Sequence, residues 1–253
     1  MSLYQTEAIV LRHYELGEAD KIAILYTKER GKVRAVAKGV RKTRSRLAGA
    51  MEVFTHNQLQ LYQGKSLAKV NQVRVLKSFA DLRADLWQMS YASYLAELVN
   101  ELTVDQERDQ ALFALLLTSL NLLSKEENLM LVVRFFELRL LRLLGYQPEL
   151  KCCVECDTAL EELTKLKFSS QQGGVICGDC SAKDQYAMYL SKGSVAIMNR
   201  LLEIDYRHLN RLKLPVKSRQ QLAKVIPNYL QSILEKPLKT LDFIRVLNAQ
   251  GSN

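Results

Sequence analysis

Apolar and polar residues alternate along the first 78 positions, and that alternation is the mark of half-buried strands. Tyr4 to Tyr14 forms a first apolar-rich strand, and Leu16-Gly17-Glu18 turns the chain. Lys21 to Thr27 is a second strand, with Ile22, Ile24 and Tyr26 on one face. Lys28-Glu29-Arg30-Gly31 has the length and the glycine of a hairpin loop. Gly31 to Lys38 alternates charge with small apolar side chains as a third strand, and its charged face carries Lys32, Arg34 and Lys38. After a long excursion, Asn57 to Tyr62 and Ser66 to Leu76 read as strands four and five, joined by a turn at Gln63-Gly64-Lys65. Five short strands with one long excursion between the third and fourth fit a five-stranded oligonucleotide-binding (OB) barrel.

At Phe79 the period changes to that of a helix. Asp81 to Glu101, Asp105 to Leu123 and Asn128 to Leu144 each carry helical spacing. The third of these is apolar on nearly all sides, which places it at the centre of a bundle. Gly145 stands where a helix C-cap belongs, with Pro148 just beyond. Helical spacing returns over 193–202, 218–234 and 238–247, and the cysteines lie between. The expected architecture is α+β and multidomain. Residues 1–79 form a nucleic-acid-binding OB barrel, 80–150 and 183–253 a helical domain, and 151–182 a four-cysteine insertion.

Charge changes this picture. The net charge of the 253-residue chain is +9. Residues 1–79 hold 15 Lys and Arg against 6 Asp and Glu, and residues 80–253 hold 21 of each, so the whole excess lies in the barrel. Nine of the nineteen residues from Lys28 to Arg46 are basic, opposed only by Glu29. Beyond Gly39 the alternation stops, and Arg41-Lys42-Thr43-Arg44-Ser45-Arg46 reads as a flexible basic arm. A basic strand face feeding such an arm suits a polyanion, because each neutralised phosphate releases a condensed counterion. A solvated strand face with a mobile loop is the plainer alternative. The candidate DNA contacts are Lys32, Arg34, Lys38, Arg41, Lys42, Arg44 and Arg46. Aromatic residues interleave with the basic strands, and bases stack on exposed rings. Tyr26 and Tyr62 are the better surface candidates, whereas Phe54 suits the barrel interior.

Cys153-x-x-Cys156 and Cys177-x-x-Cys180, twenty residues apart, form the four-thiolate zinc pattern. Each pair makes a tight turn that aims two sulfurs at one centre, and two turns complete a tetrahedron. Four cysteines leave no open coordination position, so one structural Zn2+ per chain is expected. Cys152 is spare. Phe168 to Ile176, with Gly173-Gly174 at its turn, is a hairpin that presents the second pair. Two such pairs among five cysteines suit a reducing compartment better than a disulfide framework. No apolar run approaches the ~18–20 residues of a spanning helix, and the N-terminus lacks a signal-peptide pattern. The expected location is the cytosol.

Enzymatic chemistry finds little support. Gly64-Lys65-Ser66 lacks the earlier glycine of a phosphate loop, since Leu59 stands there. His13, His56 and His208 are scattered, with no partner for a nucleophilic triad. No compact acidic cluster suggests a two-metal nuclease. Arg134, Arg139 and Arg142 are embedded in the apolar helix, either paired internally, with Glu137 as one partner, or lining a groove for an acidic, apolar peptide from another protein.

The whole chain resembles the RecO family of bacterial recombination mediators. Thr6-Glu7-Ala8-Ile9-Val10-Leu11, Glu18-Ala19-Asp20 and Ala37-Lys38-Gly39-Val40-Arg41 with Ser45 carry the likeness. So do Phe135-Glu137-Leu138, Leu144-Gly145-Tyr146-Gln147-Pro148, the two cysteine pairs and Leu238-Lys239-Thr240-Leu241-Asp242-Phe243. The resemblance implies an OB barrel and a helical domain carrying a zinc module. It implies binding to single- and double-stranded DNA, annealing of complementary strands, and partnership with RecR. It further implies remodelling of the single-stranded-DNA-binding protein, whose acidic C-terminal tail docks on the helical domain, and help in loading RecA, with RecF as a further partner. It implies a nucleoid-associated cytoplasmic protein and no catalytic residue. A zinc-ribbon RNA-binding transcription or translation factor is the alternative from another class, and a nuclease the third.

Overall fold

The computed structural model describes residues 2–126 and 128–250, with side chains as far as Asn248. The chain divides into two compact units, residues 1–125 with 238–253 and residues 126–237.

In the first unit, β1 (Leu3–Leu16), β2 (Asp20–Thr27), β3 (Gly31–Ala37), β4 (His56–Tyr62) and β5 (Ala68–Lys77) close into a barrel of order β1-β2-β3-β5-β4. β3 and β5 pair in parallel and every other pair is antiparallel. That crossover closes the five-stranded OB-fold. Alternation drives it: Ala8, Val10, Ala23, Leu25, Val33, Ala35, Leu59 and Leu61 point inward and are buried. A bulge between Val10 and Arg12 reverses the phase of β1. Val10 is buried, yet Arg12, two residues on, is exposed.

α1 (Ala80–Ala84), α2 (Leu86–Leu102) and α3 (Gln110–Leu123) follow the barrel. The single helix expected over 81–101 is broken at Asp85, which leaves the helical region and caps α2 by accepting from Gln88 N at 2.8 Å. The helix expected from Asp105 begins five residues later, because Asp109 is the N-cap, accepting from Leu112 N at 2.9 Å. The intervening residues lie along β3, where Gln106 N donates to Lys32 O at 2.9 Å. Gly31 (φ +60°) makes that approach possible, since a Cβ there would lie 1.8 Å from Glu107 O.

In the second unit, α4 (Leu129–Leu143) is its buried centre, packed by α5 (Lys192–Glu203) and α6 (Val216–Leu234). Gly145 ends α4 as expected: it adopts φ +81°, Gly145 N donates to Arg142 O, and Tyr146 N to Leu141 O at 2.8 Å. Between α4 and α5 lies a small sheet of β6 (Leu166–Ser169), β7 (Gly174–Cys177) and β8 (Met188–Tyr189), in the order β7-β6-β8. The last helix, α7 (Lys239–Gln250), packs on α2 in the first unit. Glu97 of α2 holds its N-terminus, accepting from Lys239 N and Thr240 N at 3.1 and 3.0 Å. Packing therefore does not follow the expected helical domain of 80–150 and 183–253: α1–α3 and α7 group with the barrel, and α4–α6 with the cysteine module.

Candidate nucleic-acid surface and metal centre

The basic segment begins on β3. Arg34 and Lys38 are exposed, but Lys32 is not: only 9% of it reaches solvent. Its ammonium donates to Asn100 O and Thr103 O at 2.6 Å each, and Asp105 lies 3.5 Å away. Those carbonyls end α2, where a cation complements the helix dipole. Lys32 is therefore withdrawn as a DNA contact. Tyr26, its cross-strand neighbour, is withdrawn too, being 1% exposed. Burial, then the carboxylates of Asp109 and Glu107, push its phenol well up. In both cases alternation gave the correct face of the strand, and a later segment covered it.

The arm after Gly39 is folded rather than loose. Gly39 N donates to Asp20 Oδ1 at 2.7 Å and Arg41 N to Ala19 O at 2.9 Å, so the first turn and the basic loop grip one another. Lys42 N, Ser45 N and Ala48 N each bond back three residues, making successive turns. Val40, Ala50 and Met51 anchor both ends in the barrel core. Arg41 is tied back to this scaffold, pairing with Glu15 at 3.1 Å and donating to Gly17 O at 3.1 Å. Lys42, Arg44 and Arg46 are exposed beside Lys38.

Register extends this surface around the barrel. Tyr14 pairs with Ile22, Ile22 with Val36, Val36 with Lys69, and Lys69 with Tyr62. Tyr14, Lys69 and Tyr62 are exposed along that row. One step along the strands lie Arg12, stacked 4.6 Å from the Tyr14 ring centre, and Arg34. Arg12 and Lys69 are not among the expected contacts, and Tyr14, one of the aromatics that interleave with the basic strands, ranks there behind Tyr26 and Tyr62. For Arg12 and Tyr14 the reason is the bulge, which strict alternation cannot anticipate.

Arg34 is the boundary of the row, because Asp105 Oδ2 lies 3.2 Å from its Nε. Replacing Asp105 with Asn is expected to tighten single-stranded DNA binding about fourfold at ~0.15 M salt and steepen the salt slope by about 0.7, the value of one freed phosphate contact. Titrations at several salt concentrations check this, and an unchanged slope would remove Arg34 from the surface.

The cysteines converge in the second unit. The sulfurs of Cys153, Cys156, Cys177 and Cys180 lie within 4.8 Å of one another, the only such metal-ligating group among the described residues. Cys156 and Cys177 are 3.9 Å apart. Sulfurs at tetrahedral corners about 2.3 Å from one ion would be about 3.8 Å apart, so the spacing fits a single metal. The first pair is pinned to β7, where Val154 N donates to Val175 O at 2.9 Å. Gly174 permits this contact, since a Cβ there would sit 2.5 Å from Val154 Cγ1. Amides of the second pair point at a sulfur of each pair: Cys177 N donates to Cys153 Sγ at 3.4 Å and Cys180 N to Cys177 Sγ at 3.3 Å. The Thr158 hydroxyl draws Cys156 down to about 6, whereas Cys177 and Cys156 beside Cys180 push it up to about 12. Four thiols this close suit a cation that would hold them together as thiolates.

The three arginines of α4 are engaged inside the unit. Arg134 is buried, paired with Glu137 at 2.9 Å and donating to Leu222 O at 3.1 Å. Arg139 donates to Leu201 O and Ile204 O at 3.1 and 2.8 Å, and Arg142 to Leu202 O at 3.0 Å. Those carbonyls end α5, so Arg139 and Arg142 cap a helix C-terminus. The expected peptide groove is corrected at Arg134 and Arg139, which are turned inward onto Glu137 and backbone carbonyls; Arg142 is exposed as well as bonded to Leu202 O.

A family model described as "Recombination protein O N terminal" matches residues 1–79, and one described as "Recombination protein O C terminal" matches residues 83–242. A protein of Symbiobacterium thermophilum named DNA repair protein RecO is 38% identical over 251 residues, covering 98% of this chain and 99% of its own. A protein of the same name from Pelotomaculum thermopropionicum is 39% identical over 244 residues, covering 96% and 94%. Another of that name, from Alkaliphilus metalliredigens, is 36% identical over 235 residues, covering 92% and 95%. The barrel, the cysteine centre and both matched halves lead to one conclusion: this chain belongs to the RecO family, and its role is in DNA repair and recombination.

Proposed function

We propose that this protein is a recombination mediator that binds single- and double-stranded DNA and anneals complementary strands. With RecR it helps load RecA onto DNA coated by the single-stranded-DNA-binding protein, whose acidic tail it engages, and RecF is a further partner. The observation that carries this reading is the exposed basic and aromatic row on a closed OB barrel. Lys38, Lys42, Arg44 and Arg46 stand on a folded loop, with Arg34, Arg12, Tyr14, Lys69 and Tyr62 around the wall. Contacts of this kind go to phosphate and to base faces, so they are indifferent to sequence.

Annealing makes and breaks no covalent bond, and no catalytic residue is assigned. Two polyanions held on a basic surface lose their mutual repulsion, and their local concentration rises. The four cysteines hold one Zn2+, whose part is structural, since a site of four thiolates keeps no coordination position for water. The barrel, residues 1–79, is the nucleic-acid-binding part. The reducing chemistry that keeps these thiols free for metal suits the cytoplasm, beside the nucleoid.

The test is annealing of complementary oligonucleotides precoated with their binding protein, with and without RecR. Annealing is expected to accelerate with this protein present and to be slower at high salt. No acceleration in any arm would overturn the reading. Magnesium-dependent degradation of the strands would replace it with a nuclease.

A further inference from the structure

The charge balance of residues 80–253 conceals a second basic surface. From Tyr206 to Leu234 there are 29 residues without one carboxylate, carrying Arg207, Arg211, Lys213, Lys217, Arg219 and Lys224. All six are exposed. Arg207 is answered by Asp205 just outside the run, at 2.5 Å. The other five are spread over the start of α6 and the segment before it.

At this segment lies a groove of about 390 Å³ between β8 and α6. That volume falls within the ~300–1,000 Å³ range of small-ligand sites. Met188 and Val225 make an apolar floor, and Lys217 and Lys224 stand on the rim. Tyr189 is 59% exposed, with the Lys217 ammonium 5.6 Å from its ring centre. Lys217 and Lys224 are seven residues apart on one helix, hence about 10 Å along its axis and on one face. A strand of nucleic acid laid along that face would meet both.

The groove is built on fixed elements. Gln221 Oε1 accepts from Ser191 N, Ser191 Oγ and Ser194 Oγ at 3.2, 3.0 and 2.6 Å, which ties α6 to the start of α5. Asn228 Nδ2 reaches Met188 Sδ at 3.3 Å and holds β8 against α6. The backbone that carries Tyr189, Lys217 and Lys224 is therefore held in place, while their side chains stay exposed.

We propose that this groove is a second single-stranded nucleic-acid site, in which Tyr189 stacks on a base while Lys217 and Lys224 contact flanking phosphates. An exposed aromatic face with cations strung along a helix is the pattern of sequence-indifferent strand binding. Twenty-nine residues without a carboxylate favour a long polyanion over a short acidic peptide. The proposal rests on the annealing reading above and deepens it. Annealing needs two strands on one protein, and a site in each unit provides for the second.

The experiment compares full-length wild type with Tyr189→Ala, Tyr189→Phe and the double variant Lys217→Glu/Lys224→Glu. The probe is a fluorescent 25-nucleotide oligo(dT), read by anisotropy across salt concentrations. The positions are exposed, and circular dichroism confirms that the variants fold. Tyr189→Ala is expected to weaken binding about fivefold or more while Tyr189→Phe retains it. The double variant is expected to flatten the salt slope by about 1.4, for two lost phosphates. Photocrosslinking of a 5-iodouracil oligonucleotide should label Tyr189. Wild-type protein that binds and anneals, with variants indistinguishable from it, would overturn this site and leave the mediator reading intact. Wild-type protein that neither binds nor anneals would overturn that reading first, and this site with it. Variants that bind oligo(dT) normally but lose binding of a short acidic peptide would assign the groove to a protein partner and overturn the proposal.

Discussion

Removing the metal from the four-cysteine centre is expected to unfold the small sheet around it and leave the barrel intact. The sheet consists of β6, β7 and β8, with four, four and two residues. Segments of this size do not bury enough surface to fold alone. Structural zinc supplies about 10–16 kcal/mol in comparable small modules. The second cysteine pair begins at the last residue of β7, and the first is bonded to the same strand. Loss of the ion therefore frees both sides of the hairpin. Phe168 would lose its place against Tyr229, whose ring is 5.5 Å away, and disorder would reach α6. Elemental analysis of freshly purified protein should find one zinc per chain, and Cys177→Ser should abolish it. Amide exchange should then speed up over β6 and β7 and stay unchanged in β1 to β5. Metal affinity should fall as pH falls, since protons compete for the thiolates. Full zinc content in Cys177→Ser would remove the four-thiolate assignment.

Replacing Lys38, Lys42, Arg44 and Arg46 together with alanine is expected to lower single-stranded DNA affinity by about 10²-fold at ~0.15 M salt. Four phosphate contacts released at about 0.7 counterion each account for that factor, and the salt slope should flatten by about 3. All four side chains are exposed, and the loop is held by Val40, Ala50, Met51 and its own backbone bonds, so folding should survive. Arg41 is left in place because it pairs with Glu15 and caps Gly17 O. Fluorescence anisotropy with a salt series measures both quantities. An unchanged slope in this variant would take the loop out of the DNA surface.

Much of the architecture was legible because local pattern and local chemistry agree. All five barrel strands were expected within two residues of their observed ends, since inward and outward positions alternate on each. The paired cysteines gave the four-thiol cluster directly, since a ligand set written as two tight turns needs little from the rest of the fold. Helix ends were harder. Asp85 and Asp109 are ordinary polar residues in an apolar period, and only their bonds to Gln88 N and Leu112 N show them as caps.

Assignment of individual cations went astray for a common reason. Lys32, Arg139 and Arg142 each terminate a helix that lies far away in sequence, at separations of 60 residues or more. Nothing in the residues around Lys32 announces that α2 will end beside it. Likewise, nothing near Arg12 announces the bulge that turns it outward. By itself the sequence determined the strand count, the four-cysteine centre and the basic character of the loop, because each rests on residues close along the chain. The strand count, with its one long excursion, pointed to the barrel that the distant β3–β5 and β1–β4 pairings close. Only the tertiary structure decided which charges remain exposed. A cation that finds a helix terminus or a carboxylate inside the protein is spent there, and one that finds neither stays in solvent for a phosphate to meet.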